Sequence, residues 1–237
     1  QRQMCIRDRC PSRPVRIQHR SGKVWVCNSL ALQELGFKDS DRIDGLETDG
    51  RGALTGRIVR NDSLLAERMR LAKAHKPPDI AAYSRLLASH GIVGITDTSA
   101  SNRLATLADF QRLSANGDLL QQVTLMGGDD LDSGYLKILL DEDGLPDLAE
   151  LVRRINRTRH KARNVAFHCV THLELVFALA ALAEAVPCEQ GFDRIEHGAV
   201  VDDEMARRLA DLGLPVITQP GFLFSKGDQY LADLTGA

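Results

Sequence analysis

Two apolar runs end in residues capable of metal chemistry. "RNVAFHCV" carries His168 and "DRIEHGAV" carries His197, about one strand-plus-helix repeat apart. The chain has only seven histidines, and two of them fall inside segments that read as buried strands. Either side chain alone is compatible with a satisfied interior position. As a pair at matched depth they suggest a shared centre, because neutral imidazole is a borderline ligand suited to zinc. The second nitrogen of each ring would then need an orienting acceptor. Lys137 is a third point, placed inside the apolar run "YLKILLDE" one repeat before His168. A buried ammonium is costly, so Lys137 needs a partner, a depressed pKa or chemical modification, unless it lies at the strand's entry and reaches solvent.

The elements that must position these residues are legible from residue patterns. From Gly91 onward, "GIVGITDTS", "QQVTLMGG", "YLKILLDE", "NVAFHCV", "DRIEHGAV" and "PVITQPG" read as six strands. "LATLADFQRLSANG", "DLAELVRRINRTRHKA", "LELVFALAALAEAV" and "DDEMARRLADLG" between them read as helices, with apolar residues at helical spacing. Apolar strands alternating with amphipathic helices predict an α/β fold with a parallel sheet covered on its faces. No G-x-G-x-x-G follows a strand, which disfavours a dinucleotide-binding doubly wound sheet. Asp97, Asp141, His168, His197 and Gln219 fall late in their strands or just beyond, as at the C-terminal rim of a (β/α)8 TIM-type barrel. The strands present suit a partial barrel.

The earlier part differs in character. "VRIQHR" and "KVWVC" flank Ser21 and Gly22 as a hairpin, and Asn28 or Ser29 caps a short helix that Gly36 ends. "LTGRIV" is extended, while "NDSLLAERMRLAKAHK" and "PPDIAAYSRLLASHG" are helical. The expected division is a leader over 1–13, an inserted hairpin segment over 14–76 and the partial barrel over 77–237. The opening "QRQMCIRDRC" lacks the shape of a signal peptide and stands outside the pattern.

Composition narrows the functional classes. Thirty basic and 32 acidic residues leave a net charge of −2, which gives no electrostatic footprint for nucleic acid or an anionic membrane. No apolar stretch approaches the roughly 20 residues of a membrane span. Five cysteines without paired short spacing suggest neither a disulfide framework nor a zinc ribbon, and fit a reducing cytoplasm. Aromatic residues are 5% of the chain, so the core is aliphatic.

"LKILLDEDG", "VAFHCVTHLEL" and "RIEHGAVVDDEMARRLADLGLPVITQPGF" together resemble the amidohydrolase superfamily, in its amidohydrolase family 3 branch. The resemblance implies a metal-dependent hydrolase of non-peptide C–N bonds that uses a metal-activated water. It implies one or two divalent metals, zinc first, with His168 and His197 as ligands. Lys137 matches the position of a bridging lysine, carbamylated in some members, and is the predicted catalytic group. Gln219, His172 and Lys23 are the expected substrate contacts. "RSGKVWVCNSLALQELG" and "TDGRGALTG" resemble the segment these enzymes insert after their first strand, overhanging the site. The first-strand H-x-H is absent from the chain, and the eighth-strand aspartate would lie beyond Ala237. Lys23 stands where many relatives have histidine, and "HCVTHLEL" replaces their "H-x-x-G-D-R-A".

These departures lead to an expected fragment comprising strands two to seven, with weak metal binding and impaired turnover. The expected partner is a small amide-type molecule, and a homo-oligomer is compatible. Two alternatives remain. One is a Schiff-base aldolase or lyase with Lys137 as nucleophile. The other is a noncatalytic binding barrel. Cys169 is expected to face away from His168 into the core, and Glu196 to face away from His197 into the outer, helix-facing layer. Trp25 is read as part of the hairpin face.

Overall fold

The computed structural model describes residues 10–19, 22–72, 78–189 and 191–235. The chain divides into two compact units, Gln1–Pro78 and Asp79–Ala237. Positions 1–9 of the expected leader, Ser21 of the hairpin turn, residues 73–76 at the end of "NDSLLAERMRLAKAHK" and residue 77 at the start of "PPDIAAYSRLLASHG" lie outside the described residues.

In the first unit, β1 (Arg16–Gln18), β2 (Val24–Cys27), β3 (Leu46–Thr48) and β4 (Leu54–Val59) form an antiparallel sheet in the order β1-β2-β4-β3. Helix α1 (Ser29–Glu34) starts where the Asn28 side chain accepts the Ala31 N–H at 2.9 Å. The same carboxamide accepts from Val15 and donates to the Cys10 and Arg13 carbonyls, so this buried polar group is satisfied throughout. Leu54 and Ile58 alternate inward along β4 and pack with Cys27, Leu32 and Leu65, the last from α2 (Asp62–Leu71). Gly56 is required there. Its φ is +87°, and a Cβ would fall 2.3 Å from the Cys27 carbonyl oxygen. Arg16 lies over the Trp25 ring at 4.6 Å, so Trp25 packs within the hairpin. The strand β3 was not expected: it has three residues and runs straight into the Asp49 turn, too short for a periodicity to show.

The second unit alternates as the patterning predicts. Helix α3 (Ile80–Ser89) leads to β5 (Gly94–Asp97), α4 (Leu104–Ala115), β6 (Gln122–Gly127) and β7 (Tyr135–Leu139). There follow α5 (Leu148–Arg159), β8 (Val165–Cys169), α6 (His172–Glu184), β9 (Arg194–His197), α7 (Asp203–Asp211), β10 (Val216–Ile217) and α8 (Gly221–Thr235). All neighbouring strands pair in parallel, in the order β10-β9-β8-β7-β6-β5. A doubly wound sheet reverses its strand order at a switch point. Here each strand adds to the same growing edge, and the sheet curls as a partial TIM-type barrel.

One face of that sheet is sealed by helices. Leu136 and Ile138 of β7, Val165, Phe167 and Cys169 of β8 and Ile195 of β9 pack on Leu151, Ile155, Leu175, Leu179, Met205 and Leu209. Removing a ring such as Phe167, which is fully buried, costs about 3–5 kcal/mol in a core of this kind. By the period of two, the other face receives Tyr135, Lys137, Ala166, His168, Arg194 and Glu196. That inner face carries the polar residues.

The basic run that ends α5 is less solvated than its composition suggests. Arg159 makes a buried, two-pronged ion pair with Asp193, whose Oδ1 also accepts the Val165 N–H at 2.8 Å. Arg163 is buried and donates to the carbonyls of Leu131 at 2.6 Å and Gly128 at 3.1 Å. These two guanidiniums anchor the start of β8 and the loop before β7, which fixes the depth at which His168 emerges. The C-terminal helix α8 was not anticipated. Gly221 and Gly227 lie within it, and glycine weakens a helical signal.

Candidate metal centre

The inner face places its polar residues in rows. Cα register aligns Lys137, Ala166 and Arg194 across β7, β8 and β9, and one step nearer the rim it aligns Leu139, His168 and Glu196. Glu196 is therefore not in the helix-facing layer. It shares the inner face with Lys137 and His168, and its Oε1 accepts from Arg194 Nε at 2.6 Å. Ile195, between them, is the residue packed against the helices.

Strict alternation would then send His197 to the helix side, level with Cys169, its register partner. It does not go there. His197 has φ +73°, followed by Gly198 at +55°, so β9 ends in the left-handed region. That conformation costs a non-glycine residue roughly 1–2 kcal/mol. It breaks the alternation, and the two imidazoles meet edge to face with centroids 4.5 Å apart and planes at 78°. Strain of this kind is found where the surrounding structure holds a functional geometry.

Both rings are half-buried. The His168 pKa lies below the ordinary histidine value, first because burial disfavours the charged ring, then because His197 and Lys137 repel it. The ring is thus neutral, the state a metal requires. His197 Nδ1 lies 2.7 Å from Gln219 Oε1. Among the described residues His168 makes no hydrogen bond through its ring.

Lys137 is buried in mid-strand, not at an entry. Burial lowers its pKa, Glu196 pulls the other way, and Arg194 adds to the depression. Among the described residues its ammonium has no hydrogen-bond or ion-pair partner. The Arg194 guanidinium lies over Tyr135 at 4.8 Å and reaches toward Met126 Sδ. Arg194 and Tyr135 were missed by sequence reasoning, although spacing two apart in "RIEH" puts Arg194 and Glu196 on one face.

The remaining expected site residues belong to other elements. His172 opens α6, half exposed, with Nδ1 3.8 Å from Asp202 Oδ2. The capping of that helix falls to Thr171 and Glu174, whose Oε2 accepts from Val170 at 2.7 Å and Thr171 at 3.1 Å. This T-x-x-E box is legible in "THLE". Lys23 belongs to the first unit, where its carbonyl accepts the Arg60 N–H at 2.7 Å. Asp97 accepts the Ser99 N–H and Asp141 caps the short turn Glu142–Gly144, both loop-forming roles. Cys169 is buried among the helix-facing residues, and burial pushes its thiol up to about 12.

A model of the amidohydrolase family matches residues 3–237. The chain belongs to the amidohydrolase family. Among solved structures it is similar to an uncharacterized metal-dependent hydrolase from Pyrococcus furiosus, with 21% identity and a TM-score of 0.61. That likeness covers 93% of this chain and 53% of the other, so the chain spans about half the length of the solved relative. It speaks to the fold. No curated protein matches. No helix among the described residues is long and apolar enough to cross a membrane.

The donor chemistry of this amidohydrolase chain fits the metal expected of its family in part. Two imidazoles lie side by side, one held neutral by burial and the other with its Nδ1 facing an amide oxygen. Catalytic zinc ordinarily takes three protein ligands. Among the described residues no group of three or more His, Cys, Asp or Glu side chains could hold an ion. The described residues therefore bring two imidazoles together, with Lys137 on the same face of the sheet.

Proposed function

We propose that the chain is part of a metal-dependent hydrolase of non-peptide C–N bonds in small amide-type molecules. His168 and His197 would hold a divalent metal, zinc first, and Lys137, once carbamylated, would hold a second. When bound, such an ion acidifies a water molecule and polarises a carbonyl. The chain's own residues prepare the site. Burial keeps His168 unprotonated, and the left-handed turn at His197 brings its ring to His168. A depressed pKa leaves Lys137 a larger fraction of free amine, the form that takes up carbon dioxide. Arg194 stands beside Glu196, balancing negative charge on this face.

The first unit is read as the segment that such enzymes insert after their first strand. The roles of Lys23, His172 and Gln219 in substrate contact rest on the family resemblance. The proposal rests above all on the approach of the His168 and His197 rings, with 4.5 Å between centroids.

Zinc titration followed by calorimetry tests it. The expected result is weak, saturable binding that is lost in both His168→Ala and His197→Ala, because two ligands fall short of a full set. Binding unchanged in both variants would contradict the assignment. The Schiff-base reading is favoured by one observation, the buried Lys137 with its lowered pKa. Borohydride trapping of a carbonyl compound on Lys137 would support it, and no adduct at that residue would remove it.

A further inference from the structure

His197 depends on a residue 22 positions away for its orientation. Gln219 Oε1 lies 2.7 Å from His197 Nδ1, well within the range of a formed N–H···O bond. A carboxamide oxygen can only accept, so a hydrogen bond in this arrangement requires the hydrogen on His197 Nδ1. The lone pair of the ring is then on Nε2. A free neutral imidazole prefers the opposite arrangement, with the hydrogen on Nε2, so a fixed acceptor at Nδ1 has a definite chemical effect.

The fold explains how Gln219 reaches this place and why it stays there. Strands β9 and β10 pair in parallel, with Val216 level with Ile195 and Ile217 level with Glu196. Continuing that register sets Thr218 beside His197 and Gln219 just past it. The residue is then fixed from the other side: its carbonyl accepts the Phe222 N–H at 3.0 Å, and Pro220 accepts from Leu223 at 3.1 Å. Gln219 thus sits between the end of β10 and the start of α8, with its carbonyl held by the N–H of Phe222 in that helix. His197 reaches it through the left-handed backbone at φ +73°, and the same turn brings the ring to His168. Since His168 makes no ring hydrogen bond among the described residues, Gln219 supplies the one polar restraint on the histidine pair within that set.

We propose that Gln219 is a positioning residue that sets His197 in its Nδ1–H tautomer and leaves Nε2 as the donor atom for a divalent cation. The tautomer part stands on the hydrogen bond alone. The cation part rests on the metal-site reading above. A ligating histidine whose other nitrogen is held by a protein acceptor binds its metal about 10–100-fold more tightly than one without it.

The test uses the 237-residue chain labelled with 15N-histidine and free of metal. Long-range 1H–15N correlation spectra at mildly alkaline pH report which ring nitrogen carries the hydrogen, and loss of a spin system in His197→Asn assigns the signal. The expected result is a protonated Nδ1 in the wild type and a shift toward protonated Nε2 in Gln219→Leu. Gln219→Glu, which keeps an acceptor oxygen, should restore the wild-type pattern. Zinc affinity, read by competition with a chromophoric chelator, should fall by about 10-fold or more in Gln219→Leu and recover in Gln219→Glu.

A wild-type His197 protonated on Nε2, or a tautomer indifferent to Gln219→Leu, would overturn the proposal. A tautomer that follows Gln219 while zinc binds none of the three proteins would uphold the positioning and remove the metal-site reading instead.

Discussion

His197 and Cys169 are register partners on adjacent strands, yet His197 turns away from Cys169 and meets the His168 ring instead. The cause is a single backbone excursion at the end of β9, φ +73° at His197. Everything proposed for the site depends on that departure from strand geometry.

Because His197 sits in the left-handed region, glycine should outperform alanine at this position. At an ordinary strand position glycine is the poorer choice, by roughly 0.5–1 kcal/mol. At His197 the order reverses, because alanine keeps the left-handed penalty of about 1–2 kcal/mol and glycine does not. Chemical denaturation of His197→Gly and His197→Ala should show the glycine variant more stable by about 1 kcal/mol. Alanine equal or better would mean the backbone is unstrained there.

Lys137 should be held at a cost to stability. Its ammonium is buried without an ion-pair partner among the described residues, and burial lowers its pKa. A lysine whose folded pKa lies below its unfolded value destabilises the fold wherever the unfolded chain stays protonated, and the penalty fades as pH rises toward the ordinary lysine value of 10.5. Lys137→Met should raise stability at neutral pH by about 1 kcal/mol or more. Thermal melts should show the gain shrinking as pH rises.

The parallel strands of the second unit and the helices between them were legible in the sequence. Continuous apolar runs such as "VAFHCV" carry a strong signal because they are buried on a covered sheet. Glu196 was misplaced relative to the sheet, since an inward His197 on a strictly alternating strand would send it to the helix side. A left-handed histidine leaves no mark in residue type, although the following Gly198 is a hint. Arg159 and Arg163 are buried although charge ordinarily predicts exposure. Their partners, Asp193 and the carbonyls of Gly128 and Leu131, are distant in sequence and invisible to any local pattern.

The Arg159 pair with Asp193 should be among the most sensitive points of the second unit. Both side chains are nearly fully buried, and Asp193 also holds the Val165 N–H at the start of β8. Asp193→Ala leaves a buried guanidinium uncompensated, which typically costs about 3–5 kcal/mol. Denaturant midpoints should fall accordingly. A loss under about 1 kcal/mol would place the pair in the class of exposed ion pairs.

Cys27 should give the first unit an alkaline limit. Burial pushes its thiol from 9.0 to about 11, with Arg16 opposing the shift. A thiol raised in the fold contributes stability that is full below the unfolded value and is lost as pH rises through the folded one. Cys27→Ser should therefore flatten the decline in stability between about pH 9 and pH 11. At mildly alkaline pH, thiol reagents should modify the partly exposed Cys10 and Cys188 well before Cys27. Prompt labelling of Cys27 in the folded chain would contradict its burial.

The most direct test of the central claim is a crystal structure of the chain soaked with zinc, with the ion located by anomalous scattering. The expected ion is held jointly by the His168 ring and Nε2 of His197, and it is lost in His168→Ala. Zinc bound elsewhere, or the two rings pointing to separate ions, would contradict it.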